Sequence, residues 1–421
     1  MAVIKVTEHQ RLAIGNKLPG AHLSIAQARL LERIEAGLPS RAIEWGRASV
    51  KFSQFCGVIA LGDDTLEVLP KIYGREDGGV EARHVLIHML FTARRMKLHR
   101  GSFSAIGLQN RHLLDVFIRQ FCEELFHQLR HGMIRRYVDR SDNLAVLRGK
   151  LKIDRHLRVN AMSAQRLYCE YDELIEDNAY NQVIKCVVSM LFGVCIAGAT
   201  KRALTELLHR LDHVTSREVS VSELNSLQPD RTLSRYAATF EYCRWFLSNQ
   251  NPDVSSGENR YLSLLLDMNR LFEEFVAVKL RRHAWSAGYR LRTQGPQQRL
   301  AVHDRSGEEV FAVRPDISLA DGDGRLVAIM DTKWKRADEG ERKLGVSQAD
   351  LYQMVSYGHR YGCTEMLLLY PKTESLTRTH RLDVLPSGPR VHVVPVDLLS
   401  LTTSDGSEQW KVLSEALQGA A

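Results

Sequence analysis

The chain reads as a multidomain α+β protein, and three observations carry that reading. Short apolar runs bounded by Gly, Asp or Pro, at 58–61, 66–69 and 366–370, mark strands. Patterns of helical period and length cover 81–98, 109–129, 260–282 and 347–362. Residues 310–335 read as a β-hairpin, and a helix and a further strand follow it. A strand, a helix and a strand in succession imply a parallel crossover, so the C-terminal part is expected to be a mixed sheet flanked by helices. The division expected is a mixed α+β N-terminal region suited to binding a partner (1–140), a mostly helical middle (141–255) and a C-terminal α/β domain (256–421).

Size and composition set the outer limits. At 421 residues the chain is long enough for two or three domains with sizeable cores. A hydrophobic content of 44% and a charged content of 25% are ordinary for a globular protein. A net charge of +7 favours a polyanionic partner. The cysteines number seven, an odd count, and no Cys-x-x-Cys pair occurs, which argues for reduced thiols and against structural zinc. The N-terminus, MAVIKVTEHQ, has no signal-peptide core, and no stretch is long and apolar enough to span a bilayer. The expected location is cytoplasmic, with no membrane contact.

In order, the runs 58–61 and 66–69 are joined at Gly62-Asp63-Asp64, and Pro70-Lys71-Ile72 closes the second. The helix that ends at 129 stops near Gly132. The basic cluster after it, Arg130, Arg135, Arg136 and Arg140, reads as a solvated helix end. Asp177-Asn178 caps a helix running to Phe192, and the acids Asp172, Glu173 and Glu176 read as surface charge. Further helices cover 200–213 and 231–247, and 249–257 is the best linker candidate. The segment 260–282 reads as one long helix. At about 100° per residue its Glu273 falls among Leu262, Leu266 and Leu280, with Asn269 beside it. A carboxylate on a buried face needs a partner or a metal. Ser347 caps the next helix with Asp350 three residues on, and Gly362 ends it. On that helix Gln353 and Tyr357 lie one turn apart on the same face.

The hairpin holds the chemistry. Centring its turn on Gly322 and Asp323 places Asp316 opposite Ile329. Alternation then puts Asp316, Asp331 and Lys333 on one face. The two aspartates become diagonal neighbours, roughly 7–8 Å apart at the backbone. Carboxylates that close repel unless a cation lies between them. Mg²⁺ suits such a site, because it takes one or two carboxylates plus waters and phosphate oxygens. Lys333 stands where it could hold an attacking water or developing negative charge. Residues 326–330 are apolar on both faces, so charges at the end of that strand need a reason.

Other motifs fail on inspection. Asp321-x-Asp323 begins like a calcium loop, but Leu326 and Thr332 occupy the positions that need Gly and Glu. No Ser or Cys in a strand-to-helix elbow accompanies His303-Asp304 or His359. The sequence has no G-x-x-x-x-G-K-[ST] motif, so the chain itself is not expected to hydrolyse ATP or GTP.

The hairpin, the helix with Glu273 and the helix with Gln353 together resemble the PD-(D/E)xK nuclease superfamily. LLLDMNRLFEEFV, RPDI, DTKWK, DLYQMVSYGHRY and LLLYP narrow the likeness to the McrC family, the nuclease subunit of modification-dependent (methylcytosine-specific) restriction systems. GVIALGDDTLEVLPKI, VLRGKL and YDELIEDNAYNQVIK add to it. The resemblance implies a Mg²⁺-dependent DNA endonuclease. Asp316 and Asp331 would be metal ligands, the Thr332 carbonyl would complete the site, and Glu273 would be an auxiliary ligand. Lys333 would activate or position the water, and Gln353 would orient the site or touch DNA. It also implies a partner, a hexameric McrB-like AAA+ GTPase that recognises methylated double-stranded DNA. Two other readings fit the same residues. One is a regulatory subunit of the GTPase ring with secondary or lost cleavage; the other is a repair or recombination nuclease of the same superfamily.

Overall fold

The computed structural model describes residues 3–16, 19–62, 64–71, 79–94, 96, 112–162, 165–195, 197–227, 231–252, 260–385 and 388–418. They form helices and mixed sheets, the α+β class expected. Two compact units share the chain. The first runs up to Leu98 and resumes at Ser263; the second is mainly Leu114–Leu262. The expected boundaries at 140 and 255 cut the chain differently, because the N-terminal strands share a sheet with a strand that ends at Asp267.

The first unit opens with β1 (Val3–Thr7), then β2 (Phe55–Leu61) and β3 (Asp64–Leu69). β1 runs parallel to β3, and β2 antiparallel to it. Between β1 and β2, four short strands make a smaller sheet. Every residue of β2 is buried, which is why it reads as a continuous apolar run. Helix α1 (Gly79–Ala93) follows. The expected Ile72 and the last residues of the 81–98 helix lie outside the described residues, as does Asp63 of the turn.

The second unit contains α2 (Leu113–Leu129), then a three-stranded sheet of β4 (Arg136–Leu144), β5 (Lys150–Leu151) and β6 (Leu167–Ile175). Helices α3 (Ala179–Val194) and α4 (Ala237–Ser248) belong to the same unit, as do further helices at Ile153–Val159, Gly198–Arg210 and Val221–Ser226. Asn178 caps α3, its side chain accepting from Asn181 N. Aromatic packing joins α2 to α4: Phe117 lies edge-on to Trp245 at 5.0 Å, and Phe121 to Phe246 at 5.8 Å. The acids before α3 are surface charges: Glu176 pairs with Arg135 at 2.8 Å, and Glu173 with Arg140 at 3.5 Å. Most of the linker expected at 249–257 lies outside the described residues.

The segment 260–282 is not one helix. It begins as strand β7 (Arg260–Asp267), and only then does helix α5 (Met268–Ser286) start. An unbroken run such as Leu264-Leu265-Leu266 fits a buried strand as well as a helix face, and tertiary pairing decides. β7 pairs antiparallel with β2 through Ser263–Asp267. The approach is close: a Cβ on Gly57 would lie 1.8 Å from the Leu264 carbonyl oxygen, so only glycine fits there. Asp267 ends the strand and caps the helix, its side chain accepting from Asn269 N.

The rest of the first unit is built on a six-stranded mixed sheet. Its strands in chain order are β8 (Arg290–Thr293), β11 (Ile317–Ala320), β12 (Leu326–Thr332), β13 (Glu365–Pro371), β14 (His380–Asp383) and β15 (Arg390–Val396). In space the order is β8-β11-β12-β13-β15-β14. A separate hairpin, β9 (Gln298–Val302) with β10 (Glu309–Val313), interrupts the run between β8 and β11. Helix α6 (Gln348–Tyr361) joins β12 to β13, which run parallel as the strand–helix–strand order implied. Its capping box on Ser347 and Asp350 and its left-handed end at Gly362, φ 62°, are both present. Met354 and Tyr357 of α6 share a core with Ile329, Met366, Leu368 and Tyr370.

Two details of the hairpin differ from the sequence reading. Its first arm is broken at Arg314-Pro315-Asp316, so 310–313 pairs with β9 and only 317–320 with β12. The register is also shifted. Asp321 N bonds Arg325 O, and a bulge follows at Leu319/Ala320, so Ile317 faces Met330. Continued one step, this puts Asp316 opposite Asp331 rather than Ile329. The offset is two residues, and an even offset leaves side chains on the same face.

Candidate active site

The apolar centre of β12 ends in Asp331, Thr332 and Lys333 where the strand is held between β11 and β13. Lys333 N donates to Leu369 O at 2.9 Å, which fixes the backbone at this end. Asp331 is buried, only 1% exposed. Asp316 stands just before β11 and is anchored from the other arm: its Oδ2 accepts from both Thr332 N and Thr332 Oγ1, each at 2.9 Å. The Lys333 ammonium lies 2.5 Å from Asp331 Oδ2 and donates to Gln353 Oε1 at 3.0 Å. Gln353 Nε2 donates to Tyr357 OH at 2.8 Å, and that hydroxyl donates to Arg314 O at 3.1 Å. Helix α6 is thereby tied to the break in the hairpin.

Helix α5 brings Glu273. Its wheel neighbours Leu262 and Leu266 belong to β7, yet Glu273 is buried all the same, on a helix whose Val276 and Leu280 are buried too. Gln294 Nε2 donates to Glu273 Oε1 at 2.5 Å, and Gln294 N donates to Asp316 O at 2.7 Å. All six residues singled out from the sequence (Glu273, Asp316, Asp331, Thr332, Lys333 and Gln353) line one cleft of about 790 Å³.

The electrostatics are those of crowded acids. Burial, then the Asp316 carboxylate, raises Glu273 to about 7. Burial and Asp316 also raise Asp331 to about 6, against the lowering effect of Lys333. Burial works against the Lys333 ammonium, but Asp331, with Asp350 and Asp316 behind it, outweighs that and holds its pKa above the usual lysine value. Lys333 therefore stays protonated at neutral pH and acts as a fixed positive charge.

Sequence reasoning misses one contributor and part of the role of two others. Gln294 orients Glu273 and holds the Asp316 backbone, from a Gln-Gly-Pro turn that carries no local sign of either partner. Asp350, read as a helix cap, also lies 3.6 Å from Lys333 and contacts Lys335. Tyr357 was placed on the correct face, and its bond to Arg314 O is a long-range contact invisible in spacing.

Behind the site, Trp334 Nε1 donates to Glu8 Oε1 at 2.9 Å, and Lys71 N donates to the same oxygen at 2.8 Å. The Trp334 ring packs against Phe272, 5.5 Å between centroids, so the residues beside Lys333 and Glu273 touch. Burial raises Glu8 from 4.5 to about 7. A folded pKa above the unfolded one favours the fold below about 4.5 and loses that stabilisation as pH rises through about 7. A glutamine keeps both accepted bonds without the charge. Glu8→Gln should therefore raise stability at pH 8 by on the order of 2–3 kcal/mol and leave it nearly unchanged at pH 4.5. Urea unfolding at the two pH values measures this; equal gains at both would refute it.

Residues 50–371 match the model of a family described as McrBC 5-methylcytosine restriction system component. Among solved structures, a chain from the refined half-complex of a tetradecameric assembly of Thermococcus gammatolerans McrB AAA+ hexamers with bound McrC is similar. The match covers 100% of both chains, with a TM-score of 0.75 and 18% identity. A chain from the cryo-EM structure of the Thermococcus gammatolerans McrBC complex matches over 66% of this chain and 87% of that one, with a TM-score of 0.55 and 22% identity. At these identities the likeness is one of fold. No curated protein matches. No helix among the described residues is long and apolar enough to cross a membrane.

Proposed function

The chain belongs to the family of McrBC 5-methylcytosine restriction system components, and on that premise we propose that it is the DNA-cleaving subunit of such a system. The observation that carries the reading is the meeting of Asp316, Asp331, Glu273 and Lys333 in one cleft. The six-stranded sheet would then be a PD-(D/E)xK nuclease core, with Asp316 and Asp331 as its acids and Lys333 as its lysine.

The donor set fits Mg²⁺. Asp316 opposes ionisation of Asp331 and Glu273, and a divalent cation would relieve that repulsion. Among the described residues, no three His, Cys, Asp or Glu side chains form a ready metal cage. Mg²⁺ does not require one, because it keeps waters and takes phosphate oxygens. Asp316, Asp331 and the Thr332 carbonyl would hold it, with Glu273 assisting. Bound there, Mg²⁺ supplies Lewis-acid polarisation of the phosphate and acidifies a coordinated water. The chain's own part is positioning. Thr332 fixes Asp316, and Gln294 fixes Glu273. Gln353 and Asp331 aim the Lys333 ammonium at the place where negative charge grows on the phosphate.

Metal affinity should follow the carboxylates. Asp331 and Glu273 ionise near 6 and 7, so Mg²⁺ binding should strengthen as pH rises through that range. Thermal melts with Mg²⁺ or EDTA should show a larger Mg²⁺-dependent rise in Tm at pH 8 than at pH 5.5. An equal rise at both would exclude these groups as ligands.

For the partner, we propose an McrB-like AAA+ GTPase hexamer that supplies recognition of methylated DNA. The sequence lacks a P-loop, and the second unit exposes Tyr137, Val138, Val146, Leu147 and Leu157 on and beside its three-stranded sheet. Exposed apolar side chains in such number suit a protein interface. Much of this surface lies beyond residue 140. The deciding experiment is co-purification with such a GTPase, then cleavage of 5-methylcytosine-containing and unmodified duplexes with and without GTP and Mg²⁺. Cleavage that needs all of them supports the reading; no cleavage under any condition overturns it.

A further inference from the structure

A second cavity, of about 620 Å³, adjoins the cleft. Gln294, Arg314 and Gln353 line both, so the two spaces meet along these side chains. Beyond them the walls are Gln297 and Leu300, Ala312 and Val313 at the end of β10, and Ser356 and Tyr357 of α6. The chemistry changes abruptly at the junction. The first cavity is lined by charges of both signs, the acids of the site together with Lys333, Arg270 and Arg281. The second has no carboxylate in its lining, and Arg314 is its one charge. A single cation over an uncharged, partly apolar pocket suits an anion carrying an organic body.

Arg314 is placed for that task. Its main chain is fixed by the bond from Tyr357 OH, two residues before Asp316. Its side chain is exposed and makes no hydrogen bond or ion pair with a described residue. A guanidinium free to bond in two directions is a natural phosphate ligand. The volume is that of a small-ligand site. A polymer cut in the first cavity must also continue past it, and the second cavity is contiguous with the first.

We propose that this cavity seats the nucleotide next to the scissile phosphate, with Arg314 on that nucleotide's own phosphate and the Leu300–Val313 wall against its sugar and base. The inference rests on the nuclease reading and deepens it by giving the strand a direction from the metal-binding acids towards the β9–β10 hairpin. Gln297, exposed at the rim, is the side chain placed to meet a base edge.

The test uses the full chain assembled with its AAA+ GTPase, cleaving a duplex that carries 5-methylcytosine. Two variants are compared with wild type: Arg314→Ala, which removes the charge, and Ala312→Trp, which fills the cavity from an exposed strand position. Each should raise KM about tenfold while kcat changes less than about threefold. Replacing the phosphate next to the cut by a neutral methylphosphonate should raise the wild-type KM similarly and add nothing to the Arg314→Ala effect. An unchanged KM in both variants, with wild-type cleavage intact, overturns the subsite alone, and so does a methylphosphonate effect that adds in full to Arg314→Ala. Absence of cleavage by the wild-type complex overturns the nuclease reading and the subsite with it.

Discussion

Asp331→Asn should reduce DNA cleavage by on the order of 10³-fold while the chain still folds and binds its partner. The amide keeps the shape of the carboxylate but cannot carry the charge that a divalent cation needs. The same change should not weaken the metal-free fold. Asp331 titrates near 6, above its usual value, because burial and Asp316 oppose its ionisation. Its raised pKa means that stability is lost as pH rises through about 6, so at pH 8 wild type carries a penalty the variant lacks. In EDTA, the variant's Tm should equal or exceed that of wild type at pH 8, and the gap should close towards pH 4. Cleavage above a tenth of the wild-type rate would remove Asp331 from the proposed site.

Lys333→Met should be equally inactive, but for a different reason and with a different stability signature. It strips the ammonium 2.5 Å from a buried carboxylate and leaves that charge without its partner. Breaking such a pair costs about 3 kcal/mol at pH 8, where Asp331 is ionised. The loss should shrink as pH falls and Asp331 takes up a proton. Adding Asp331→Asn to Lys333→Met should restore most of the stability and none of the cleavage. Stimulation of the partner's GTPase should survive both changes, which separates chemistry from assembly. A Lys333→Met chain as stable at pH 8 as wild type would mean that the ion pair does not hold the site together.

How much of this was legible in the sequence depended on the range of each interaction. Asp331 and Lys333 were readable because an apolar strand ending in charges is a local contradiction. Asp316 was placed on the correct face by a register two residues off, and parity forgave the error. Glu273 was singled out by a wheel that wrongly included Leu262 and Leu266. It survived because its own helix still buries that side. The strand 260–267 was misread because an unbroken leucine run has no period to distinguish strand from helix, and only the unseen partner, β2, decides between them. Gln294 and Glu8 were out of reach altogether. Their roles come from residues at least 20 positions away, and nothing local marks them.

The close seam between β2 and β7 has a consequence for how the protein is made. These strands are neighbours in the sheet but lie roughly 200 residues apart in the chain. At bacterial-like synthesis rates, the ribosome needs on the order of 10–40 seconds to deliver the second after the first. Through that interval a fully apolar strand waits with one edge uncovered, the state in which nascent chains stick to each other. The segment translated meanwhile contains the second unit, which has its own aromatic core. Its early completion would shorten the effective tether between the waiting edge and its mate. Chaperone dependence during synthesis should accordingly centre on the seam around Gly57, not on the hairpin of the proposed site, whose strands emerge nearly together.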